Sequence, residues 1–258
     1  MLSTSSSRHV KSVRTGFRIV EVLQNQDGAE ITELAEHLDL AKSTVHNYLS
    51  TLESMGYVRN QNGTYRIGLR FLTHGMAARS TLGIREEVRA ALSDVAEEIS
   101  QAAWWIAEEQ GRGIFVERAV PEGTQAVYGR IGKRSYLHTH GPGKAILAHL
   151  PEEYVRRIID HHGLPVYTNR TITDSERLLE QLAEIRDRGY AFTDGETALG
   201  VQSIGVAFED EQGCSHALGV FGYSHDFGGE SLDEDIPMLL ADRVEELSRT
   251  LTAARSER

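Results

Sequence analysis

Two short amphipathic helices three residues apart, with an Asn-Gly turn close behind them, constrain this chain more than any other feature. In Ile31-Thr-Glu-Leu34-Ala35-Glu-His-Leu38 the apolar residues fall at i, i+3, i+4 and i+7, the spacing of one buried helical face. Asp39-Leu40-Ala41 is turn-like, and a second helix over residues 42–55 carries Val45, Leu49 and Leu52 as its stripe, with Gly56 placed to stop it. Upstream, Ser12 is positioned to cap a helix carrying Val13, Phe17, Val20 and Leu23, with Ile19 beside them, and Gly28 ends it. Downstream, the β-prone runs 57–60 and 65–68 flank Gln61-Asn62-Gly63-Thr64. Asn-Gly between such runs predicts a type I′ hairpin, because that turn needs positive φ at both central residues. Three helices followed by a hairpin make a winged helix-turn-helix, expected over residues 10–68.

The surface of the second helix indicates what it meets. Ser43, His46, Asn47, Ser50 and Ser54 cluster opposite the Val45/Leu49/Leu52 stripe, and none is acidic. A solvent-facing helix in a chain of net charge −11 is expected to carry Asp or Glu there. Asn suits the bidentate edge of adenine, and Ser or Thr bonds bases or phosphate. Lys42, Ser43, Thr44 and the free amides at the helix start suit a phosphate. Arg59 and Arg66 on the wing, and Arg14 taken to precede the first helix, are candidates for backbone contacts that position rather than specify.

The charge is unevenly divided. Residues 1–80 hold nine Lys/Arg against seven Asp/Glu, whereas residues 81–258 hold eighteen against thirty-one. Local positive potential at the reading head is what a regulator needs, not a basic chain overall. Only four lysines (Lys11, Lys42, Lys133 and Lys144) stand against 23 arginines. An acidic, lysine-poor surface suits high salt and points to a halophile of haloarchaeal type; GC-rich codon usage gives the same arginine excess.

No apolar run approaches the roughly 18–20 residues of a membrane span, and the polar N-terminus lacks a signal-peptide h-region, so a cytoplasmic protein is expected. The lone Cys214 forms no internal disulfide. Residues 1–9 are Ser-rich and expected to be disordered. Residues 69–82 read as a linker helix whose Leu69, Phe71, Leu72 and Met76 either form a dimer seam or pack on their own domain. From residue 83 to 258, helices and strands alternate: a helix over 84–100 with Ile84, Val88, Leu92, Val95 and Ile99 on one face; strands over 103–108, 114–120, 125–131 and 135–140; a helix pair over 142–162 and a helix over 174–188; strands over 201–208 and 216–224; and a terminal helix over 235–254. This pattern predicts an α+β sensor domain.

The runs VKSVRTGFRIVEVL, ITELAEHLDLAKSTVHNYLSTLESMGYV and YRIGLRFL resemble the DNA-binding domain of the IclR family of transcriptional regulators. LHTHGPGKAILAHLP, residues 167–172, IRDRGYAFTDGETALGVQSIGVAF and HALGVFG extend the resemblance across residues 10–250 in order and spacing. It implies a winged helix-turn-helix, a linker helix and a GAF-like α/β effector domain. It also implies homodimers or dimers of dimers on near-palindromic operators in double-stranded DNA, and a small-molecule effector, often a carboxylate. The implied pocket involves Gly141, Pro142, Asp194, Val201, Ser203 and the last core strand, where Gly219 and Phe221 stand in place of small hydroxyl residues. Gly195 replaces a frequent second acid, and Asn47 replaces a common arginine. Free amides near Gly143 favour an anion, with hydrogen bonds from Ser203 and His138.

Three rivals are weaker. GPGKA looks like a phosphate loop, but His138 and Ala145 stand where that motif demands Gly and Ser/Thr, and no nucleophile elbow is present, so an enzyme is not expected. His138 and His140, alternating on a strand, would serve a metal sensor only with a distant third ligand such as Asp194, so neither metal nor cofactor is expected. The acidic run GGESLDEDIP could meet a protein partner, though acidic residues commonly mark a helix start.

Overall fold

The computed structural model describes residues 10–83, 85–224, 227 and 235–256; Ile84, the Ser-rich residues 1–9 and most of the acidic run, 228–234, lie outside them. The described chain divides into two compact units, one ending at Leu82 and one starting at Gly83. The first holds α1 (Lys11–Asn25), α2 (Ile31–Leu38), α3 (Lys42–Ser54), β1 (Val58–Gln61), β2 (Thr64–Ile67) and α4 (Arg70–Ser80). Its core joins Ile19, Val22 and Leu23 of α1 to Leu34, Ala35 and Leu38 of α2, Val45 and Leu49 of α3, and Val58 and Tyr65 of the hairpin. Asn62 and Gly63 both have positive φ, and Gln61 pairs Thr64, so the hairpin turns as its Asn-Gly pair demands. The α1 stripe differs from expectation. The helix begins at Lys11 with Val10 as its uncapped start, so Ser12 is not a cap. Ile19, Val20 and Leu23 are buried as expected, with Val22 beside them, but Val13 and Phe17 are 57% and 58% exposed, so the buried stripe is confined to the second half of the helix. In α4, Phe71 packs on Tyr57 with ring centroids 4.9 Å apart, while Leu69, Leu72 and Met76 stay exposed.

The second unit is built on one antiparallel sheet of order β5-β4-β3-β8-β7-β6. Its strands are β3 (Ala103–Glu109), β4 (Arg112–Ala119), β5 (Arg134–Tyr136), β6 (Ala191–Asp194), β7 (Val201–Glu209) and β8 (Ser215–Tyr223). The helices are α5 (Arg85–Ile99), α6 (Gly141–His149), α7 (Glu152–His162), α8 (Ser175–Arg188) and α9 (Asp235–Ser256). Side chains alternate between faces along each strand. Trp104, Phe115, Ala217 and Phe221 face the side where α6, backed by α8, is packed; Trp105 and Leu218, of opposite parity, face α5 and α9. Two expectations fail here. Residues 125–131 form no strand but a loop bent by Gly129 and Gly132 at positive φ. The strand expected over 135–140 ends at Tyr136 and passes into a single 3-10 turn, Leu137–Thr139. The four-residue β6 has no counterpart in the sequence reading. Among the described residues no helix is long and apolar enough to cross a membrane.

Candidate functional sites

The surface that the sequence singles out for reading DNA lies on α3. Val45 and Leu49 anchor it in the core, which leaves Lys42, Ser43, His46, Asn47 and Ser50 exposed and Thr44 half-buried. Ala41 precedes the helix without offering a side-chain acceptor, and Thr44 N–H turns back to the Ala41 carbonyl at 2.9 Å, so the Lys42 and Ser43 amides are the ones left open to an outside anion. Of the three arginines, Arg14 and Arg59 are exposed, Arg14 inside the first turn of α1 rather than before it. Arg66 is half-buried and turned back onto Asp27, bonding its carbonyl and pairing with its carboxylate at 3.0 Å.

The start of α6 is not the open anion site the sequence suggested. Gly141 N–H donates to Ser203 Oγ at 2.9 Å, Pro142 has no N–H, Gly143 N–H donates to His140 Nδ1 at 3.0 Å, and Lys144 N–H donates to the His140 carbonyl. Its glycines serve close packing instead. A Cβ on Gly143 would lie 2.2 Å from the Leu137 carbonyl oxygen, and one on Gly219 would lie 2.2 Å from Pro142. Gly141, Pro142, Ser203 and Gly219 are therefore brought together as one helix-on-sheet contact, with Ser203 also bonded to Thr193 Oγ1 at 2.7 Å and Val201 buried nearby in the core. Asp194 stands apart, paired with Arg170 on the 167–172 segment, whose side chain covers Gly195.

The two histidines do not share a strand face. His138 Nε2 bonds the Pro165 carbonyl at 3.2 Å, and His140 Nε2 bonds Ser135 Oγ at 2.8 Å. Because His140 Nδ1 accepts the Gly143 amide, Nε2 carries its proton and Ser135 donates onward to the Gly113 carbonyl. Burial pushes His140 down to about 3, with the Lys133 charge adding to the effect. Burial also pushes His138 down to about 4, against the Pro165 hydrogen bond that favours its charged form. Both rings are neutral at pH 7 and already partnered. Among the described residues no group of three His, Cys, Asp or Glu side chains is placed to hold a metal ion.

Sequence reading missed four features of this unit. Lys144 is fully buried and donates to both carboxylate oxygens of Glu196 and to Gln181 Oε1; burial lowers its pKa and the Glu196 carboxylate works against that. A lone lysine in the apolar run GPGKAILA was the available signal. Tyr128 receives a hydrogen bond from Thr197 at 2.7 Å. Lys133 Nζ lies 3.4 Å from the Tyr128 ring centroid. Trp104 is buried with its indole N–H unpartnered among the described residues. Phe221 stacks on Tyr128 at 5.1 Å and touches Phe115 and His140, forming an aromatic cluster on the α6 side of the sheet.

Comparison with known proteins decides the family. Residues 12–62 match the IclR helix-turn-helix domain, and residues 76–249 match the Bacterial transcriptional regulator IclR C-terminal model. The chain belongs to the IclR family. As such it is a DNA-binding transcriptional regulator with a C-terminal effector-binding domain. It is 31% identical over 203 residues to the probable HTH-type transcriptional regulator ArcR of Halobacterium salinarum, covering 77% of each chain. It is 28% identical to the transcriptional repressor IclR of Escherichia coli, over 96% of this chain and 88% of that one. The crystal structure of an IclR-family regulator from Alicyclobacillus acidocaldarius shares the fold at a TM-score of 0.78, with 24% identity over 94% of this chain and 99% of that one. An IclR homologue from Microbacterium hydrocarbonoxydans, solved with 4-hydroxybenzoate, superposes at 0.76 with 22% identity over 94% and 99%.

Proposed function

We infer that this IclR-family regulator reads operator DNA with α3 and that a small-molecule effector in the second unit changes its grip. The carrying observation is the uncharged, exposed face of Ser43, His46, Asn47 and Ser50 on a helix whose opposite side is fixed in the core. Asn47 and Ser43 read base edges, Lys42 and Thr44 sit at the phosphate-facing start, and Arg59 and Arg14 steady the duplex. Arg66 acts at the wing through its tie to Asp27 rather than as a free phosphate ligand. One such head covers few base pairs, so a homodimer on a near-palindromic site supplies the rest. The exposed Leu69, Leu72 and Met76 of α4, together with Val13 and Phe17 of α1, are the apolar surface for that pairing. Reading of a small effector is supported by the relative solved with 4-hydroxybenzoate. The acidic, lysine-poor second unit supports a protein that works in high salt.

A gel-shift titration of genomic fragments against random competitor tests this reading. One class of fragment is expected to be retained preferentially, with affinity falling as salt rises because phosphate contacts release counterions. Equal retention of all fragments, at low and at high salt, would overturn it.

A further inference from the structure

The stop of α3 and the start of α4 are built as one joint. The reading helix closes in a Schellman turn: Gly56, at positive φ, donates its N–H to the Glu53 carbonyl at 2.9 Å, and Tyr57 donates its N–H to that of Leu52 at 2.8 Å. Gly68 N–H then donates to the Tyr57 carbonyl at 2.8 Å, and a Cβ on Gly68 would sit 2.4 Å from the Gly56 carbonyl oxygen, so the two backbones touch. Three side chains at the start of α4 fasten on the same point. Arg70 donates to the Met55 carbonyl, just past the last turn of α3, and its guanidinium lies 5.0 Å from the Tyr57 ring centroid. Phe71 packs on that ring at 4.9 Å. His74 stacks on it at 5.6 Å, with Nε2 2.6 Å from the Tyr57 hydroxyl.

Burial does little to hold α4 in place. No residue of the helix is buried, and only Phe71 and Arg79 are half-buried. At roughly 100° per residue, Arg70, Phe71 and His74 share one side of the helix, and Leu69, Leu72 and Met76 share the opposite side. One side is thus fixed to the end of α3, and the other carries the exposed apolar residues proposed for pairing. α4 is then the spacer between a reading helix and the twofold axis of the pair. The angle at which the clasp holds α4 sets how far apart the two reading helices stand. In dimeric readers of this kind that separation fixes the spacing of the half-sites. A clasp at the last carbonyls of α3 controls this angle without lying on the face that carries Ser43, His46, Asn47 and Ser50.

We propose that Tyr57, Arg70 and His74 are positioning residues that set the half-site spacing of the operator without touching DNA. This rests on the reading above, in which α3 meets the duplex and two chains pair. The full chain is to be titrated with synthetic duplexes carrying the half-site recovered from the gel-shift selection. Each duplex holds it once, or twice as an inverted repeat whose centre-to-centre spacing changes one base pair at a time. The wild type is expected to favour one spacing. His74→Ala and Tyr57→Phe are each expected to reduce that preference roughly fivefold, as for a modest hydrogen bond lost from each of two chains. The double variant is expected to lose no more than either alone, because both remove the same bond. Arg70→Gln, which releases the Met55 carbonyl, is expected to broaden the preference as well. In all of them, affinity for the single half-site and the melting temperature are expected to stay close to the wild-type values. An unchanged spacing profile in His74→Ala and Tyr57→Phe overturns the proposal. So does an equal loss on the single half-site, which would make the clasp part of the reading head's own fold. A wild type that binds every spacing alike overturns it too, while continued recognition of the single half-site leaves the α3 reading standing. Selection of no half-site at all takes both down.

Discussion

Lys144 donates to Glu196 at 2.5 and 2.6 Å in a part of the second unit where neither side chain is more than 8% exposed. Glu196 Oε2 also faces the Ile172 amide, and Gln181 takes a further Lys144 proton, so the pair ties α6 to α8 and to the two connecting segments. Truncating one partner leaves the other charge buried and unpaired, which costs about 3–5 kcal/mol. Lys144→Met is therefore expected to lower unfolding stability by about that amount in urea, whereas Lys144→Met combined with Glu196→Leu should recover most of it. A single variant as stable as the wild type would show that the pair does not hold these elements together.

His138 and His140 make the second unit sensitive to acid. Both titrate in the folded state well below their unfolded value of about 6.5, at about 4 and about 3. Between those values and 6.5 the unfolded chain binds more protons than the folded one, so stability rises with pH through this window and is lost on acidification. The physical cause at His140 is direct: a proton on Nδ1 would face the Gly143 N–H that this nitrogen now accepts. From pH 7 to pH 5 each ring is expected to contribute a loss of about 2 kcal/mol. Urea titrations at the two pH values check the total, and His138→Asn should flatten the difference by roughly the share of one ring. A variant with an unchanged pH slope would mean His138 is not neutral in the fold.

Most of the element order was legible: α2 and α3 bury the faces their spacing marked, the Asn-Gly pair turns the hairpin, and α8, β7 and β8 form close to the runs expected for them. What failed did so for local reasons. In α1 the expected Ile19 and Leu23 meet the core together with Val22, whereas Val13 and Phe17 lie in the first turns and stay exposed. The run 125–131 is β-prone, but Gly129 must pass within contact distance of Phe115 and Trp104 at positive φ, which breaks the extended chain. The site was less legible than the fold. Gly141, Gly143 and Gly219 suggest a ligand in sequence, yet in space Pro142 and the Leu137 carbonyl fill the room they leave. Lys144 and Glu196 lie 52 positions apart, and no spacing rule connects them.

The exposed apolar residues of α1 and α4 bear on assembly. Phe71 is used within its own unit against Tyr57, and His74 bonds the Tyr57 hydroxyl at 2.6 Å, so α4 is anchored along one side. Leu72 and Met76, 61% and 50% exposed, are not part of that anchor. Burying them across a twofold interface would contribute about 1.5–3 kcal/mol per side chain at full burial. Leu72→Glu with Met76→Glu is expected to shift the protein toward monomer in sedimentation experiments and to weaken operator binding, with the melting temperature little changed. An unaltered sedimentation coefficient would place the seam elsewhere.

Asn47 is the residue whose loss should change sequence preference rather than affinity alone. It is exposed on α3 between His46 and Ser50, opposite Val45 and Leu49, and its carbonyl, not its side chain, receives the Thr51 hydroxyl at 2.8 Å. The carboxamide is thus left to pair with a base edge. Asn47→Ala is expected to cost about 1–3 kcal/mol on the preferred operator and to relax discrimination at one base pair in each half-site. Arg59→Ala, by contrast, removes the backbone contact proposed for the wing, so it should weaken all sequences alike and reduce the slope of log affinity against log salt by about one. Competition binding with single-base operator variants separates the two effects. If both substitutions lower affinity uniformly, Asn47 does not read a base, and α3 presents its specificity through Ser43, His46 or Ser50 instead.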